Sequence, residues 1–95
     1  MDTDQKRQLA HTDDMGLTAC AIRLRGARHS IGLAQNRLAE VAGVGATALQ
    51  NMEAGRSFPS APVMRYLFHE HRIDFNFQMN GMYAQLPGDV QERLF

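Results

Sequence analysis

The fold of this chain is decided by residues 32–55, which read GLAQNRLAEVAGVGATALQNMEAG. Apolar residues recur in this stretch at three- and four-residue spacings, and glycines interrupt the pattern at positions 43 and 55. Such spacing is typical of amphipathic helices, and glycine commonly ends a helix. We therefore predict a helix from about Ala34 to Val41, a second from about Ala46 to Ala54, and a short turn that makes them cross sharply.

Several residues in this helix pair are of the type that its geometry requires. Ala39 is small where the second helix must cross close over the first, and Gly43 supplies the left-handed backbone of the tight turn. The apolar Val44, Leu49 and Met52 fix the helices at an angle that leaves one face of the second helix free. A pair of this kind is a helix-turn-helix, which presents its second helix to the major groove of DNA.

The segment before this pair predicts another helix. Residues 17–31 have apolar positions at helical spacing, with Arg23 and Arg25 expected on the opposite, outward side. Gly26 lowers the stability of that helix by about 1 kcal/mol relative to alanine. Gly32 then ends it.

The segment after the pair predicts a loop over residues 57–62, in which Ser60 caps a fourth helix of about residues 61–71. The side chains expected to face the core from this helix are those of Val63, Met64, Leu67 and Phe68. Asp74 caps a short fifth helix that Gly81 closes, and a final helical segment follows. The predicted fold is all-α: a compact five-helix domain with a short extra C-terminal helical segment.

These elements resemble the lambda-repressor-like helix-turn-helix family, the Cro/repressor or XRE type. The shared motifs lie within residues 24–81, which are about 60% of the chain: LRxxR, GLxQxxLAxxxGV, the dipeptide ME, GxxxP and a closing D…NG. The resemblance implies a five-helix domain that binds operator double-stranded DNA, commonly as a homodimer and commonly as a repressor.

The resemblance also implies roles for individual residues. With Arg37 added as a neighbouring cation, the predicted DNA-binding residues are Gln35, Arg37, Ala46, Thr47, Gln50, Asn51 and Arg56. Arg28 and Glu53 match an internal ion pair that ties the first helix of the domain to the third. We expect this pair to be structural, because an arginine that loses its carboxylate becomes a stranded charge.

The chain departs from the family pattern where the two helices of the pair begin. Ala34 and Gly45 stand where a capping serine, threonine or asparagine is usual, at a cost of about 1 kcal/mol for the alanine and about a few tenths for the glycine. Ala46 replaces a longer polar side chain. Hydrogen bonding to bases then falls to Gln50 or Asn51, either of which can take an adenine in a bidentate contact. The alternative is a plain solvated helix.

The two ends of the chain are predicted to differ in structure. Residues 1–16 lack apolar periodicity, so we predict a flexible arm, disordered or weakly helical, before a DNA-binding domain of residues 17–81. The extension of residues 82–95 and the helix before it are rich in large apolar groups. From these we predict a homodimer interface of Phe77, Met79, Met82, Tyr83, Leu86, Leu94 and Phe95. The alternative is that they cap the core.

Charge is unevenly distributed, although the net charge is zero. Residues 17–73 carry seven arginines against three glutamates, and the segments on both sides of them are acidic. A basic middle of this kind suits contact with phosphates, and a solvated charged face is the alternative.

Other kinds of site find little support in the sequence. His69 and His71 are two residues apart on one helix and point roughly 200° from each other, so they cannot share a metal ion. Neither a phosphate-binding loop nor a nucleophile elbow occurs, so we expect no enzyme, no cofactor and no small-molecule effector. Cys20 is expected to be a small buried hydrophobe, and the chain shows neither a membrane span nor a signal peptide, as in a cytoplasmic protein.

The sequence therefore predicts a DNA-binding transcriptional regulator, most simply a repressor that binds a palindromic operator as a homodimer and lies on the nucleoid when bound. The alternative function is an antitoxin or adaptor that uses its acidic ends and apolar tail to hold a protein partner, with DNA binding secondary or lost.

Overall fold

Seven helices account for most of residues 2–95, the part of the chain that the computed structural model describes. In chain order they are α1 (Thr3–Leu9), α2 (Leu17–Ser30), α3 (Gln35–Ala42), α4 (Ala46–Glu53), α5 (Ala61–His71), α6 (Phe75–Asn80) and α7 (Gly88–Arg93). No strand occurs among these residues, so the all-α prediction is confirmed. The five predicted helices of the domain correspond to α2–α6, and α7 is the extra C-terminal segment.

The turn between α3 and α4 is made by Gly43, which has φ 75° and lies in the left-handed region. Its amide donates to the carbonyl oxygens of Ala39 and Glu40, and the amide of Val44 donates to Ala39 at 2.9 Å. These bonds satisfy carbonyl groups that would otherwise be unpaired at the end of α3. The chain can then reverse within three residues and begin α4 after Gly45.

The core lies where α2 packs on α4 and α6, while α3 packs on α4 and α5. Leu38 on α3, Leu49 on α4 and Leu67 on α5 are fully buried there. Two residues of α5 that were expected to face inward lie nearer the surface: Phe68 is exposed and Met64 is half-buried. The buried face of α5 is therefore narrower than its apolar pattern suggested, because only one stripe of the helix faces its neighbours.

The N-terminal segment lies against the domain. Asp2 and Gln5 form a capping box at the start of α1, and Ala10 at its end is fully buried in the core. The hydroxyl of Thr12 donates to the Gly81 carbonyl oxygen at 2.7 Å. The sequence led us to expect a flexible arm over residues 1–16, but its described part is a helix and a turn bonded to the end of α6.

Arg23 differs most from its prediction. It was expected on the outward side of α2, yet it is fully buried in the structure. Its guanidinium donates to the carbonyl oxygens of Ala10 (2.8 Å), His11 (3.1 Å), Asp14 (2.7 Å), Gln78 (3.2 Å) and Met79 (2.9 Å). Several of these oxygens lie at the C-terminal ends of α1 and α6, where unpaired carbonyl groups carry partial negative charge. Arg23 therefore replaces the missing helical donors and joins the two ends.

The C-terminal apolar residues mostly belong to the core. Of the seven assigned to a homodimer interface, Phe77, Tyr83, Leu86 and Leu94 are buried within the single chain. This is the alternative that the sequence left open, and it follows because α7 folds back onto the domain. Met79 and Phe95 are half-buried, and Met82 is 42% exposed.

Phe95 also explains Gly26, which the sequence marked only as a weakness of α2. A Cβ at Gly26 would collide with the ring of Phe95. The glycine thus makes room for the aromatic side chain that ends the chain.

None of the helices in residues 2–95 is both long and apolar enough to cross a membrane. No group of three or more histidine, cysteine, aspartate or glutamate side chains in this range is placed to hold a metal ion.

Candidate nucleic-acid interface

One face of α4 points away from the domain. Ala46, Thr47 and Gln50 are exposed on it and Asn51 is half-buried, while Leu49 on the opposite face is fully buried. This separation follows from the helical period, because residues three and four apart share a face. The four residues predicted to line the recognition face are thus brought together.

The first turns of α3 and α4 lack a capping side chain. Ala34 and Gly45 occupy the two capping positions, and neither forms a side-chain hydrogen bond to the helix. The first amide groups of both helices are therefore left without side-chain partners in the part of the chain that the structure describes. Free amide groups at a helix N-terminus are donors that suit a phosphate.

The back of α4 is held by an ion pair. Arg28 Nε donates to Glu53 Oε2 at 2.7 Å, and Arg28 Nη2 donates to Glu53 Oε1 at 3.0 Å. Glu53 is buried, and the Arg28 side chain is 14% exposed. A bidentate pair out of water fixes both position and orientation, so the expected pair ties α2 to α4.

Gln35 joins the same network. Its Nε2 donates to Glu53 Oε1 at 3.1 Å, so one carboxylate receives donors from α2 and from α3. An amide nitrogen carries two N–H groups, and one of those of Gln35 has no acceptor among residues 2–95. The sequence predicted Gln35 as a DNA contact but gave no sign of its bond to Glu53, since 18 positions separate the two residues.

Arg56 and Asn51 form a second contact at the other end of α4. Gly55 has φ 76°, and after it the Arg56 amide donates to the Asn51 carbonyl oxygen at 2.9 Å. The Arg56 side chain turns back as well, with Nη1 donating to Asn51 Oδ1 at 3.1 Å. Both predicted site residues are therefore coupled, and the left-handed glycine is the sequence signal that allows it.

The remaining cations near the site are partly engaged. Arg37 pairs with Glu40 at 2.8 Å, and both side chains are more than half exposed. Arg25 donates to the backbone carbonyl oxygen of Glu53, which the sequence did not indicate. Because Arg23 is buried, it does not contribute to a phosphate-binding surface.

Comparison with known proteins agrees with this geometry. The family model described as a helix-turn-helix domain matches residues 19–69, more than half of the chain. The chain belongs to the helix-turn-helix domain family. Comparison with curated proteins gave no match, and neither did comparison with solved structures.

The helix-turn-helix match runs from near the start of α2 to near the end of α5. It therefore includes the turn at Gly43, the exposed face of α4 and both partners of the Arg28–Glu53 pair. The predicted resemblance to the XRE type is confirmed, and the chain is a helix-turn-helix DNA-binding protein of that type. The helices α1, α6 and α7, which carry the contacts of Arg23 and the C-terminal apolar residues, lie outside the matched range.

Proposed function

We propose that this helix-turn-helix protein is a transcriptional repressor that binds a palindromic operator as a homodimer and acts by occupying the DNA. The observation that carries the proposal is the exposed polar face of α4, which is held from behind by the Glu53 carboxylate and its donors Arg28 and Gln35. A rigidly supported helix with one open face is what insertion into a major groove requires.

The chemistry of the face suits a small number of base contacts. Ala46 and Thr47 offer methyl groups that can pack on a thymine methyl, and Gln50 offers both a donor and an acceptor. Phosphate contacts then come from Gln35 and Arg37, and these position the helix without specifying sequence.

Selection of binders from random double-stranded DNA tests the function directly. A repressor of this kind enriches a palindromic consensus, and its affinity falls steeply as the salt concentration rises because counterions are released from the phosphates. Gln50→Ala should relax the consensus at one position of each half-site, and Arg37→Ala should weaken all sequences alike. Arg7→Ala, which removes an exposed arginine from α1, is the matched control. Recovery of no sequence at low salt would contradict the proposal.

An exposed aromatic face of α5 and α6 supports a proposal for where a second copy docks. Phe68 on α5 and Phe75 on α6 are 40% and 47% exposed, and their ring centroids are 5.2 Å apart. Together with Ala61 and Met64 they line a groove of about 340 Å³. We place the homodimer contact on this aromatic face rather than on the buried part of the C-terminal extension, because a two-fold axis would set the same rings against each other.

Sedimentation of two surface variants tests this placement. Phe68→Ser with Phe75→Ser should convert a dimer into monomers, whereas Met82→Ser, which alters the exposed methionine of the extension, should leave the dimer intact. If Met82→Ser instead gave monomers and the double phenylalanine variant stayed a dimer, the contact would lie in residues 82–95. A wild-type monomer at all concentrations would contradict the homodimer.

A second candidate function is an adaptor that holds a protein partner. It is favoured by the absence of lysine and arginine from α4 together with the exposed aromatic face of α5 and α6. An adaptor would show no salt-dependent affinity for DNA and would purify with another protein. The same selection experiment therefore separates the two functions.

A further inference from the structure

The contact between Arg56 and Asn51 has a direct consequence for the bases that α4 can read. Asn51 is held twice: its backbone carbonyl oxygen accepts from the Arg56 amide, and its side-chain oxygen accepts from Arg56 Nη1 at 3.1 Å. The left-handed Gly55 between them turns the chain so that Arg56 can reach back. The side chain of Asn51 is therefore positioned by its neighbour and not by solvent.

The chemistry of arginine fixes which way the Asn51 amide points. A guanidinium has only donors, so the atom that faces it must be the amide oxygen. Within residues 2–95 the amide nitrogen of Asn51 has no hydrogen-bond partner, so its two N–H groups are left to meet a ligand. Gln50, one position earlier, is exposed and has neither amide atom engaged by the described residues.

We infer that Arg56 is a specificity-determining positioning residue, which makes Asn51 a donor and directs it to guanine. This inference rests on the proposed function of α4 as a DNA-reading helix. Bidentate recognition of adenine needs an acceptor for N6 and a donor for N7. Arg56 takes one of the two lone pairs of Asn51 Oδ1 and places a positive charge beside the other, which disfavours the approach of a second donor such as adenine N6. Guanine presents two acceptors, O6 and N7, to the same groove. Adenine recognition is thereby left to Gln50, whose amide oxygen and amide nitrogen are both available to a base.

The experiment compares base preferences of the full chain and its variants by selection from random double-stranded DNA with sequencing. Arg56→Met removes the donor and the charge and keeps an unbranched side chain. Arg37→Met removes a comparable exposed charge that pairs with Glu40 and does not touch an amide. Asn51→Ala identifies the base position that Asn51 reads, and Asn51→Asp keeps the contact with Arg56 but presents an acceptor outward.

The wild-type protein should prefer guanine over adenine by about five- to tenfold at the position that Asn51→Ala relaxes. Arg56→Met should lose this preference at that position and no other, and should admit adenine there. Arg37→Met should lower affinity for all sequences and leave the preference unchanged. Asn51→Asp should reverse it in favour of a base with a donor, cytosine or adenine.

Three outcomes of the selection would overturn the inference and leave the DNA-reading function intact. One is a wild-type preference for adenine at the position that Asn51 reads. Another is an Arg56→Met profile that is weaker but unchanged in shape, which would make Arg56 a phosphate contact alone. The third is retention of the guanine preference by Asn51→Ala together with its loss in Arg56→Met, which would mean that Arg56 reads the base itself. A wild-type protein that enriches no sequence refutes the DNA-reading function, and with it this inference.

NMR spectroscopy of the free protein tests the positioning role without DNA. The side-chain amide resonances of Asn51 should move in Arg56→Met and stay in place in Arg37→Met, with thermal melting showing that both variants are folded. Identical Asn51 resonances in all three folded proteins would overturn the positioning role even if DNA affinity changes.

Discussion

Single residues in this protein show that the same backbone conformation can serve different purposes. Gly43 and Gly81 have φ of 75° and 69°, in the region that glycine adopts without strain. A Cβ at Gly43 would meet nothing within 4 Å, whereas a Cβ at Gly81 would lie 2.8 Å from the Ala10 carbonyl oxygen and 2.9 Å from Thr12 Cα. Gly43 is thus needed for its torsion angle, and Gly81 for its torsion angle and for space.

Substitution by alanine should separate these two requirements. Gly43→Ala should lower the free energy of unfolding by about 1–2 kcal/mol, the cost of a left-handed alanine. Gly81→Ala should cost about 1–3 kcal/mol more, because backbone atoms of the N-terminal segment must also move. Thermal melting followed by circular dichroism measures the difference, and each 1 kcal/mol shifts the midpoint by roughly 4–8 °C. Equal midpoints would mean that the N-terminal segment does not pack on Gly81 in solution.

At the scale of helices, the protein uses buried charge as a connector. Glu53 on α4 receives Arg28 from α2 and Gln35 from α3, so a single carboxylate sets the relative placement of three elements. Arg37 and Glu40 form a pair at a similar distance within α3, but both of these side chains are more than half exposed to water. Exposed pairs of that kind contribute little to stability, whereas removing one member of a buried pair leaves the other unsatisfied.

The two acidic residues should therefore respond differently to truncation. Glu53→Ala should lower the free energy of unfolding by about 2 kcal/mol or more, which is a drop of several degrees in the thermal midpoint. Glu40→Ala should change it by less than about 0.5 kcal/mol. If Glu53→Ala melts like the wild type, the pair does not fix the placement of α4.

The end of α5 carries a titratable group whose surroundings oppose its charge. Burial lowers the pKa of His71, the positive charge of Arg93 lowers it further, and Glu70 raises it by a smaller amount. A ring nitrogen of His71 also lies 3.2 Å from the Tyr66 hydroxyl. The C-terminal end of a helix ordinarily favours a cation, but here burial and Arg93 outweigh that tendency.

This lowered pKa predicts an acid-sensitive fold. The unfolded chain binds a proton at His71 near the ordinary pKa of about 6.5, before the folded chain does. Stability from this residue is therefore fully present above that pH and is lost as the pH falls from about 6.5 toward the lower folded pKa. His71→Gln should have a shallower loss of stability between about pH 7 and 5 in urea denaturation. Parallel curves for the two proteins would contradict the effect.

At the scale of the whole molecule, the ends of the chain close the fold. Lys6 on α1 donates to the Gln91 carbonyl oxygen on α7 and lies over the Tyr83 ring, 5.5 Å from its centroid. Arg23 joins the end of α1 to the end of α6 from inside the core. The acidic flanks seen in the sequence are thus packed beside the basic helix-turn-helix rather than extended from it.

Truncation after Gly81 should consequently destabilise the protein. It removes four buried side chains from the core: those of Tyr83, Leu86, Val90 and Leu94. Because each large buried side chain contributes about 1.5–3 kcal/mol, their loss is comparable with the whole stability of a small domain. Circular dichroism should show a broad transition at a much lower midpoint. A cooperative melt at the wild-type midpoint would instead make residues 82–95 an independent appendage.

The sequence by itself determined the features that depend on neighbouring residues. Helical periodicity, the glycine that turns α3 into α4, and the outward face of α4 are all set within a few positions along the chain. For that reason the helix boundaries of the helix-turn-helix pair and the family were predictable from residues 24–81. The pairing of Arg28 with Glu53 was also expected, but from family resemblance and not from local pattern.

Only the tertiary structure decided which charges and amides are free. Arg23 is buried because the ends of α1 and α6 converge on it. One of its partners, the carbonyl oxygen of Gln78, lies 55 positions away along the chain. Phe77, Tyr83, Leu86 and Leu94 are covered because the C-terminal segment folds back onto the domain. The side chain of Asn51 is oriented because the left-handed turn at Gly55 brings the Arg56 side chain back to it. Burial and hydrogen-bond partners depend on contacts between distant segments, and no local pattern of apolar and polar residues encodes them.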